Sequence, residues 1–208
     1  CVVLTPFSHG ITKRMENEDL SIFDYVFCWL GNTNLILSII KLIEDKMNLE
    51  HDIQEAGVQM ILLVEDSIRF YSSILPNLYN YILEQSKNFS KEALNRHAAT
   101  MRMRGRPKVV LARTYEEAQK LYDKYSNNTL GVISDARFPL KSAAKAFGNK
   151  VETEAKPKHR TDTFGREKCP DAGLQLFRYI RKNDPFVPLI LESSESDNRA
   201  KAEAEGFR

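Results

Sequence analysis

Cysteine is scarce in this sequence and follows none of the patterns that hold metals or build disulfide frameworks. The three cysteines, Cys1, Cys28 and Cys169, are widely spaced and include no CxxC pair. An odd number of isolated cysteines indicates reduced thiols, so neither a disulfide scaffold nor a zinc site is expected. We therefore expect a cytoplasmic protein.

Long apolar runs and an excess of charge of one sign are also missing. No stretch of about 18 apolar residues and no signal peptide is found, so a membrane span is not expected. The net charge of +2 gives no reason to expect a nucleic-acid partner. The stretch 104–108 (Arg-Gly-Arg-Pro-Lys) resembles an AT-hook, but the balanced charge favours a basic loop that leads into a strand.

Two classes of catalytic motif are missing as well. The sequence has no glycine-rich phosphate loop and no nucleophile elbow with an accompanying histidine, so nucleotide hydrolysis and serine hydrolase chemistry are not expected. The histidines are scattered through polar stretches, as is typical of surface positions: His9, His51, His97 and His159.

The sequence does contain a regular alternation of apolar strands and amphipathic helices from residue 58 onward. Strands are predicted at 61–64, 108–112, 130–134 and 188–192. Repeated strand–helix units predict a parallel sheet with helices on both faces. Pro76 is predicted to kink or break the first of these helices near Leu75. Two polar segments interrupt the alternation, 84–107 and 141–168, and the second is predicted to be an exposed loop.

Acidic and hydroxyl side chains follow three of the predicted strands directly. Glu65 and Asp66 follow the first strand, Asp135 the third and Ser193 the fourth. Because the carboxyl ends of parallel strands meet at one edge of a sheet, we expect these side chains to converge. A lone acid at such a position could simply cap a helix. Three clustered carboxylates instead favour a cation, and Mg²⁺ prefers such oxygen ligands; an aspartate beside it can accept a phosphoryl group.

This ordered set of motifs resembles the receiver domain of response regulators. Receivers carry an acidic pair after strand one, an aspartate after strand three with a proline four residues later, and a hydroxyl residue after strand four. Glu65-Asp66, Asp135 with Pro139, and Ser193 match that pattern. The turn at 171–174 (Asp-Ala-Gly-Leu) is similar to the one that opens the third receiver helix. The resemblance implies a flavodoxin-like, doubly wound α/β fold with strand order 2-1-3-4-5.

The resemblance also implies a role for each site residue. Asp135 would be the phosphoacceptor and the catalytic residue. Mg²⁺ would be held by the side chains of Asp66 and Asp135, by the backbone carbonyl of Arg137, and by Glu65 through a water molecule. Ser193 would bind the phosphoryl group. The implied partners are a histidine kinase or phosphotransfer protein and the protein's own downstream domains, with no nucleic acid and no membrane.

The sequence departs from the receiver pattern at its end. Receivers need a lysine after strand five, and this chain ends at Arg208, where strand five would begin. Two functions therefore stay open. One is a phosphorylation switch of a two-component system, which is not an enzyme in its own right. The other is a pseudo-receiver that is not phosphorylated and acts as an interaction or regulatory module of a larger phosphoenolpyruvate-utilising enzyme.

The chain is predicted to consist of parts of two modules. Residues 1–57 contain two strand patterns and an apolar helix whose wetter side carries Glu44 and Asp45. We interpret them as the C-terminal part of an upstream receiver-like domain plus a linker helix, and 58–208 as a receiver truncated before strand five. Because the sequence starts at Cys1 rather than at methionine, we expect a fragment or a processed chain. The alternative is a permuted single domain in which the N-terminal segment supplies strand five.

Such tandem modules resemble those of bacterial multidomain proteins in which receiver-like domains precede a phosphoenolpyruvate/pyruvate-binding dikinase-type region.

Overall fold

The computed structural model describes residues 1–6, 23–141, 162, 166–193 and 196–204. The strands are β1 (Val2–Pro6), β2 (Tyr25–Trp29), β3 (Met60–Val64), β4 (Lys108–Ala112), β5 (Thr129–Asp135), β6 (Phe138–Pro139), β7 (Lys168–Cys169) and β8 (Leu189–Glu192). The α-helices are α1 (Asn34–Ala56), α2 (Ile68–Lys91), α3 (Arg96–Arg104), α4 (Tyr115–Tyr125), α5 (Ala172–Asn183) and α6 (Ser196–Ala204). Most of the predicted loop 141–168 lies outside the described residues.

Four parallel strands form the main sheet in the order β4-β3-β5-β8. The predicted α/β class with a parallel sheet flanked by helices is therefore confirmed, and it is compatible with a doubly wound fold. Counted from β3 as strand one, these four strands follow the order 2-1-3-4, so the sheet differs from the full order 2-1-3-4-5 by strand five, which is predicted to be missing or supplied by the N-terminal segment. Among the described residues this sheet has four strands, and none of the other strands pairs with the outer edge of β8.

Buried apolar side chains cover both faces of the main sheet. On one face, α4, α5 and α6 pack against the strands, and Leu62 of β3 contacts this cluster together with Leu176. On the other face, β2, α1 and α2 pack against β3 and β4, and Leu63 joins a cluster that includes Phe27 and Leu42. Neighbouring residues of β3 thus point to opposite cores, as a strand buried on both faces requires.

The N-terminal strands form a small sheet of their own. Within the described residues, β1 and β2 pair only with each other, in parallel, and do not extend the main sheet. The two described strands of the N-terminal segment therefore do not supply a fifth strand beside β8. Its β2 packs on α2 and shares a core with the main sheet, so residues on both sides of the predicted boundary at 57 are buried together.

Helix α1 covers the free edge of β4. Leu42 contributes to one core and Leu49 to the other, so the helix passes from one face of the sheet to the other along this edge. At the edge, Asp45 accepts a hydrogen bond from the backbone N–H of Val109 at 2.9 Å. The helix ends at Gly57, whose φ of 61° is the left-handed conformation that favours glycine. By covering this edge, α1 protects a side of β4 that no other described strand pairs with.

Asp45 lies at the centre of a buried polar network. It is fully buried and accepts hydrogen bonds from the Arg106 guanidinium at 2.6 and 3.1 Å and from the Tyr79 hydroxyl at 2.9 Å. Beside it, Lys108 Nζ pairs with Asp52 at 2.6 Å. The sequence predicts that Asp45 lies on the wetter side of α1. This prediction is wrong, because Asp45 lies on the buried face of the helix.

The same network accounts for the AT-hook-like stretch. Arg106 is only 5% exposed, and its guanidinium binds Asp45 rather than projecting from an exposed loop. Burial acts to lower the pKa of Arg106, but the hydrogen bond and charge of Asp45 raise it overall. The guanidinium at the centre of this stretch is therefore engaged within the fold.

Helix α2 runs without a break from Ile68 to Lys91 through Pro76. Of the predicted kink or break near Leu75, the break is therefore wrong and the kink stays a prediction. Leu75 and Tyr79 on either side of Pro76 are fully buried, and tertiary packing of this apolar face outweighs the local cost of proline. The remainder of the polar segment 84–107 contains α3. None of the described helices combines the length and apolar character that a bilayer crossing requires.

Candidate metal site

Two neighbouring strands of the main sheet end in acidic residues at the same edge. β3 and β5 pair in parallel, so Glu65 and Asp66 leave the sheet where Asp135 ends β5. The N–H of Glu65 donates to the carbonyl of Ala112 at 3.0 Å, which extends the β4 pairing by one residue. The site thus lies at the carboxyl ends of β3 and β5, the two inner strands of the sheet.

The three carboxylates predicted to converge do so. One oxygen from each of Glu65, Asp66 and Asp135 lies within 4.8 Å of the others. Glu65 is 3% exposed and Asp66 is fully buried. Such a concentration of buried carboxylates is costly unless protons or cations offset the charge.

Backbone N–H groups hold two of the three carboxylates in place. Glu65 Oε1 accepts a hydrogen bond from the N–H of Ser67 at 2.9 Å. Asp135 Oδ1 accepts one from the N–H of Ala136 at 2.7 Å. Both bonds are made within two residues of the acid, so the tight turns after β3 and β5 orient the side chains.

Asp66 is the acid whose hydrogen-bonding capacity is left unfilled. Its Oδ2 lies 2.7 Å from Lys168 Nζ in an ion pair. Its Oδ1 is buried and has no hydrogen-bond partner among the described residues. A buried carboxylate oxygen without a donor, facing two further carboxylates, fits a cation ligand.

Burial raises the pKa of all three acids, and the charges of neighbouring acids add to the shift for Glu65 and Asp66. Burial, followed by the charge of Asp135, raises the pKa of Glu65 to about 9. Burial raises the pKa of Asp66 to about 6 against the attraction of Lys168. Burial also raises the pKa of Asp135, while the N–H of Ala136 and the charge of Lys168 oppose the shift. Without a metal, the cluster therefore retains protons near neutral pH, and a divalent cation would displace them.

The lysine at the site comes from the segment that the sequence predicts to be an exposed loop. Lys168 lies on β7, and its side chain is only 16% exposed. A second ion pair of this segment, Asp162 with Arg166 at 2.6 Å, is also buried. The prediction of exposure is wrong for these residues, because their charges pair within the fold. A polar stretch without periodicity gave no signal for either contact.

A glycine at the start of α5 fixes the backbone beneath Asp135. The N–H of Gly173 donates to the carbonyl of Ala136 at 3.1 Å. A Cβ at Gly173 would collide with the carbonyl oxygen of Asp135. The close approach of helix and strand therefore requires glycine here, which gives the 171–174 motif a packing role.

The remaining predicted site residues lie at the same edge. Ser193 follows Glu192, which is in register with Asp135, and its Oγ accepts a hydrogen bond from Asn198 Nδ2 at 2.8 Å. Arg137 lies between β5 and β6, and a hydrogen bond from its backbone N–H acts to lower the pKa of Asp135. The roles of the Ser193 hydroxyl and the Arg137 carbonyl stay predictions.

Comparisons with known proteins supply no family for this chain. Models of protein families give no match, and neither curated proteins nor solved structures give one. The receiver resemblance therefore depends on the residues and geometry described above.

Proposed function

We propose that this chain is a receiver-type phosphoacceptor module, in which Asp135 takes up a phosphoryl group in a Mg²⁺-dependent reaction. One observation carries the proposal: oxygens of Glu65, Asp66 and Asp135 lie within 4.8 Å of one another at the carboxyl edge of a parallel sheet. The unpartnered Oδ1 of Asp66 supports a cation at this place.

In this proposal Asp135 is the nucleophile of the reaction. One carboxylate oxygen attacks the phosphorus of the donor, the bond from phosphorus to the leaving group breaks, and the electron pair departs with that group. The N–H of Ala136 orients the attacking carboxylate. Bound Mg²⁺ would offset the negative charge that the carboxylates and the phosphoryl oxygens bring together. Asp66 and Asp135 would hold it directly, with the Arg137 carbonyl and, through water, Glu65.

The proposed donor is a histidine kinase or a phosphotransfer protein, and the proposed output is a contact with downstream domains of the same protein. The Ser193 hydroxyl, which accepts a hydrogen bond from Asn198, would donate one to a phosphoryl oxygen. A cytoplasmic location belongs to this proposal, because Cys1, Cys28 and Cys169 are all unpaired.

The proposal is tested by incubating the protein with acetyl phosphate and Mg²⁺ and measuring its intact mass. The protein should gain one phosphoryl group, and chelation of Mg²⁺ or Asp135→Asn should abolish the gain. Asp171→Asn is the matched control, because Asp171 is an acid of the same type that pairs with Lys201 outside the cluster. It should be phosphorylated as the unchanged protein is.

An unchanged mass would reject the phosphoacceptor function and favour the pseudo-receiver that acts by interaction alone. An adduct that persists in Asp135→Asn would reject Asp135 as the acceptor.

A further inference from the structure

We infer that Lys168 is a phosphoryl-binding residue, which exchanges its ion pair with Asp66 for one with a phosphoryl oxygen on Asp135. The inference rests on the proposed function of Asp135. It assigns this role to a lysine on β7, within the segment between β5 and α5.

The position of Lys168 gives it access to the whole cluster. Its Nζ lies 2.7 Å from Asp66 Oδ2, and its charge acts on Glu65 and Asp135 as well. The side chain is largely buried, so its ammonium is held among the carboxylates instead of extending into solvent. A lysine ammonium carries three donors on a flexible stem, so it can change partner without movement of the backbone.

The backbone of Lys168 is tied to the strand that carries Asp135. β6 and β7 pair antiparallel, with Pro139 opposite Lys168 and Phe138 opposite Cys169. Phe138 is fully buried and begins β6 three residues after Asp135. The backbone from which the Lys168 side chain extends is therefore paired with the segment that directly follows Asp135.

The charges explain why the ammonium would move. A phosphoryl group carries about two negative charges and replaces the single charge of the Asp135 carboxylate, so phosphorylation makes the cluster more negative by about one charge. When a divalent cation offsets the charge of Asp66, the attraction between Asp66 and Lys168 weakens. A phosphoryl oxygen is then the stronger partner for the ammonium, because charge-assisted hydrogen bonds to phosphate are short and strong.

This exchange predicts effects of opposite sign on two measurable quantities. At a pH where all three carboxylates are ionised, the ammonium offsets part of their negative charge before a metal binds, so removing it should strengthen Mg²⁺ binding there. Removing it also takes away a phosphoryl partner, so it should slow phosphorylation of Asp135. A lysine that merely stabilises the fold would not move these two quantities in opposite directions.

The experiment compares Lys168→Met and Lys168→Arg with Lys201→Met. Lys201 is the control because its ammonium pairs with an acid outside the cluster, Asp171, at 3.0 Å. Mg²⁺ affinity is measured by isothermal titration calorimetry, and the rate of phosphorylation by acetyl phosphate is followed by intact mass. In Lys168→Met we expect Mg²⁺ to bind about 3-fold more tightly or better, and phosphorylation to be at least about 10-fold slower.

Lys168→Arg should retain much of the phosphorylation rate, because it keeps the positive charge, and Lys201→Met should match the unchanged protein. Equal rates and Mg²⁺ affinities in Lys168→Met and the unchanged protein would overturn the role of Lys168 and leave the phosphoacceptor proposal standing. Loss of both properties in Lys168→Met and Lys168→Arg would make the lysine structural and overturn the inference. Absence of phosphorylation in the unchanged protein would overturn both proposals.

Discussion

Glu65 and Asp66 are adjacent acids of similar burial that hold their protons very differently. The pKa of Glu65 is raised to about 9 because burial and the nearby Asp135 both disfavour its charged form. The pKa of Asp66 rises only to about 6, because Lys168 opposes the effect of burial. One lysine contact thus makes Asp66 the acid that ionises more readily at neutral pH.

These pKa values predict that Mg²⁺ affinity increases between pH 6 and pH 8. Protons and the metal compete for the same oxygens, and the protonated fraction falls as pH rises. The expected increase is about 2-fold if Asp66 alone loses its proton, and up to about 200-fold if Glu65 must lose its proton as well. Titration calorimetry at the two pH values measures it.

Glu65→Gln separates the two contributions to this pH dependence. The substitution removes the group with the higher pKa and keeps the size of the side chain, so the increase should shrink to the contribution of Asp66. An Mg²⁺ affinity that does not change between pH 6 and pH 8 in the unchanged protein would contradict the competition between protons and metal.

At the scale of elements, helix α1 packs along the edge of β4 and is joined to it by a buried polar network. The helix supplies one carboxylate, Asp45, which accepts the outward N–H of Val109 and binds the guanidinium of Arg106. Breaking such a buried pair by removing one partner is costly, because the other charge stays buried without compensation.

Asp45→Asn should therefore lower the free energy of unfolding by about 3 kcal/mol, measured by urea denaturation. Glu44→Gln is the matched control: Glu44 is the next residue on the helix, lies 3.8 Å from Arg106 and is 40% exposed. Its loss should cost less than about 1 kcal/mol. Adding Arg106→Met to Asp45→Asn should restore part of the stability. Equal losses from Asp45→Asn and Glu44→Gln would contradict the central role of Asp45.

The sequence predicts the elements better than the contacts between them. Strands that are buried on both faces are mostly apolar, so the sequence locates β3 (Met60–Val64) and β4 (Lys108–Ala112) nearly to the residue. The convergence of Asp66 and Asp135 followed from the parallel sheet alone. The break at Pro76 was wrong because local propensity gives way to the packing of a long apolar face.

The missed contacts join residues that are remote in sequence. Arg106 binds Asp45 across 61 positions, and no local period reports such a pair. A signal for Asp45 did exist, since it occupies the helical stripe formed by Leu42 and Leu49. An acid on an apolar stripe predicts a buried partner. Lys168 had no comparable signal, because it follows a polar segment without periodicity.

At the scale of the molecule, the N-terminal segment and the main sheet bury one continuous core. Phe27 of β2 packs against Tyr71 of α2 with ring centroids 5.5 Å apart. The backbone N–H of Cys28 donates to Ser72 Oγ at 3.0 Å. These contacts join the small sheet to α2, the helix that follows β3 of the main sheet. Two modules assigned from the sequence are therefore expected to lose their structure together.

We accordingly predict that the small sheet and the rest of the chain unfold in a single transition. Trp29 is the only tryptophan and lies at the end of β2, so its fluorescence reports on the small sheet, whereas far-ultraviolet circular dichroism reports on all helices. In urea the two signals should share one midpoint, because exposing either part would expose the core of the other. Asp45→Asn should lower both midpoints equally. A tryptophan transition at lower urea than the dichroism transition would show instead that residues 1–57 form a separate cooperative unit, and that the buried Asp45 network does not couple them to the main sheet.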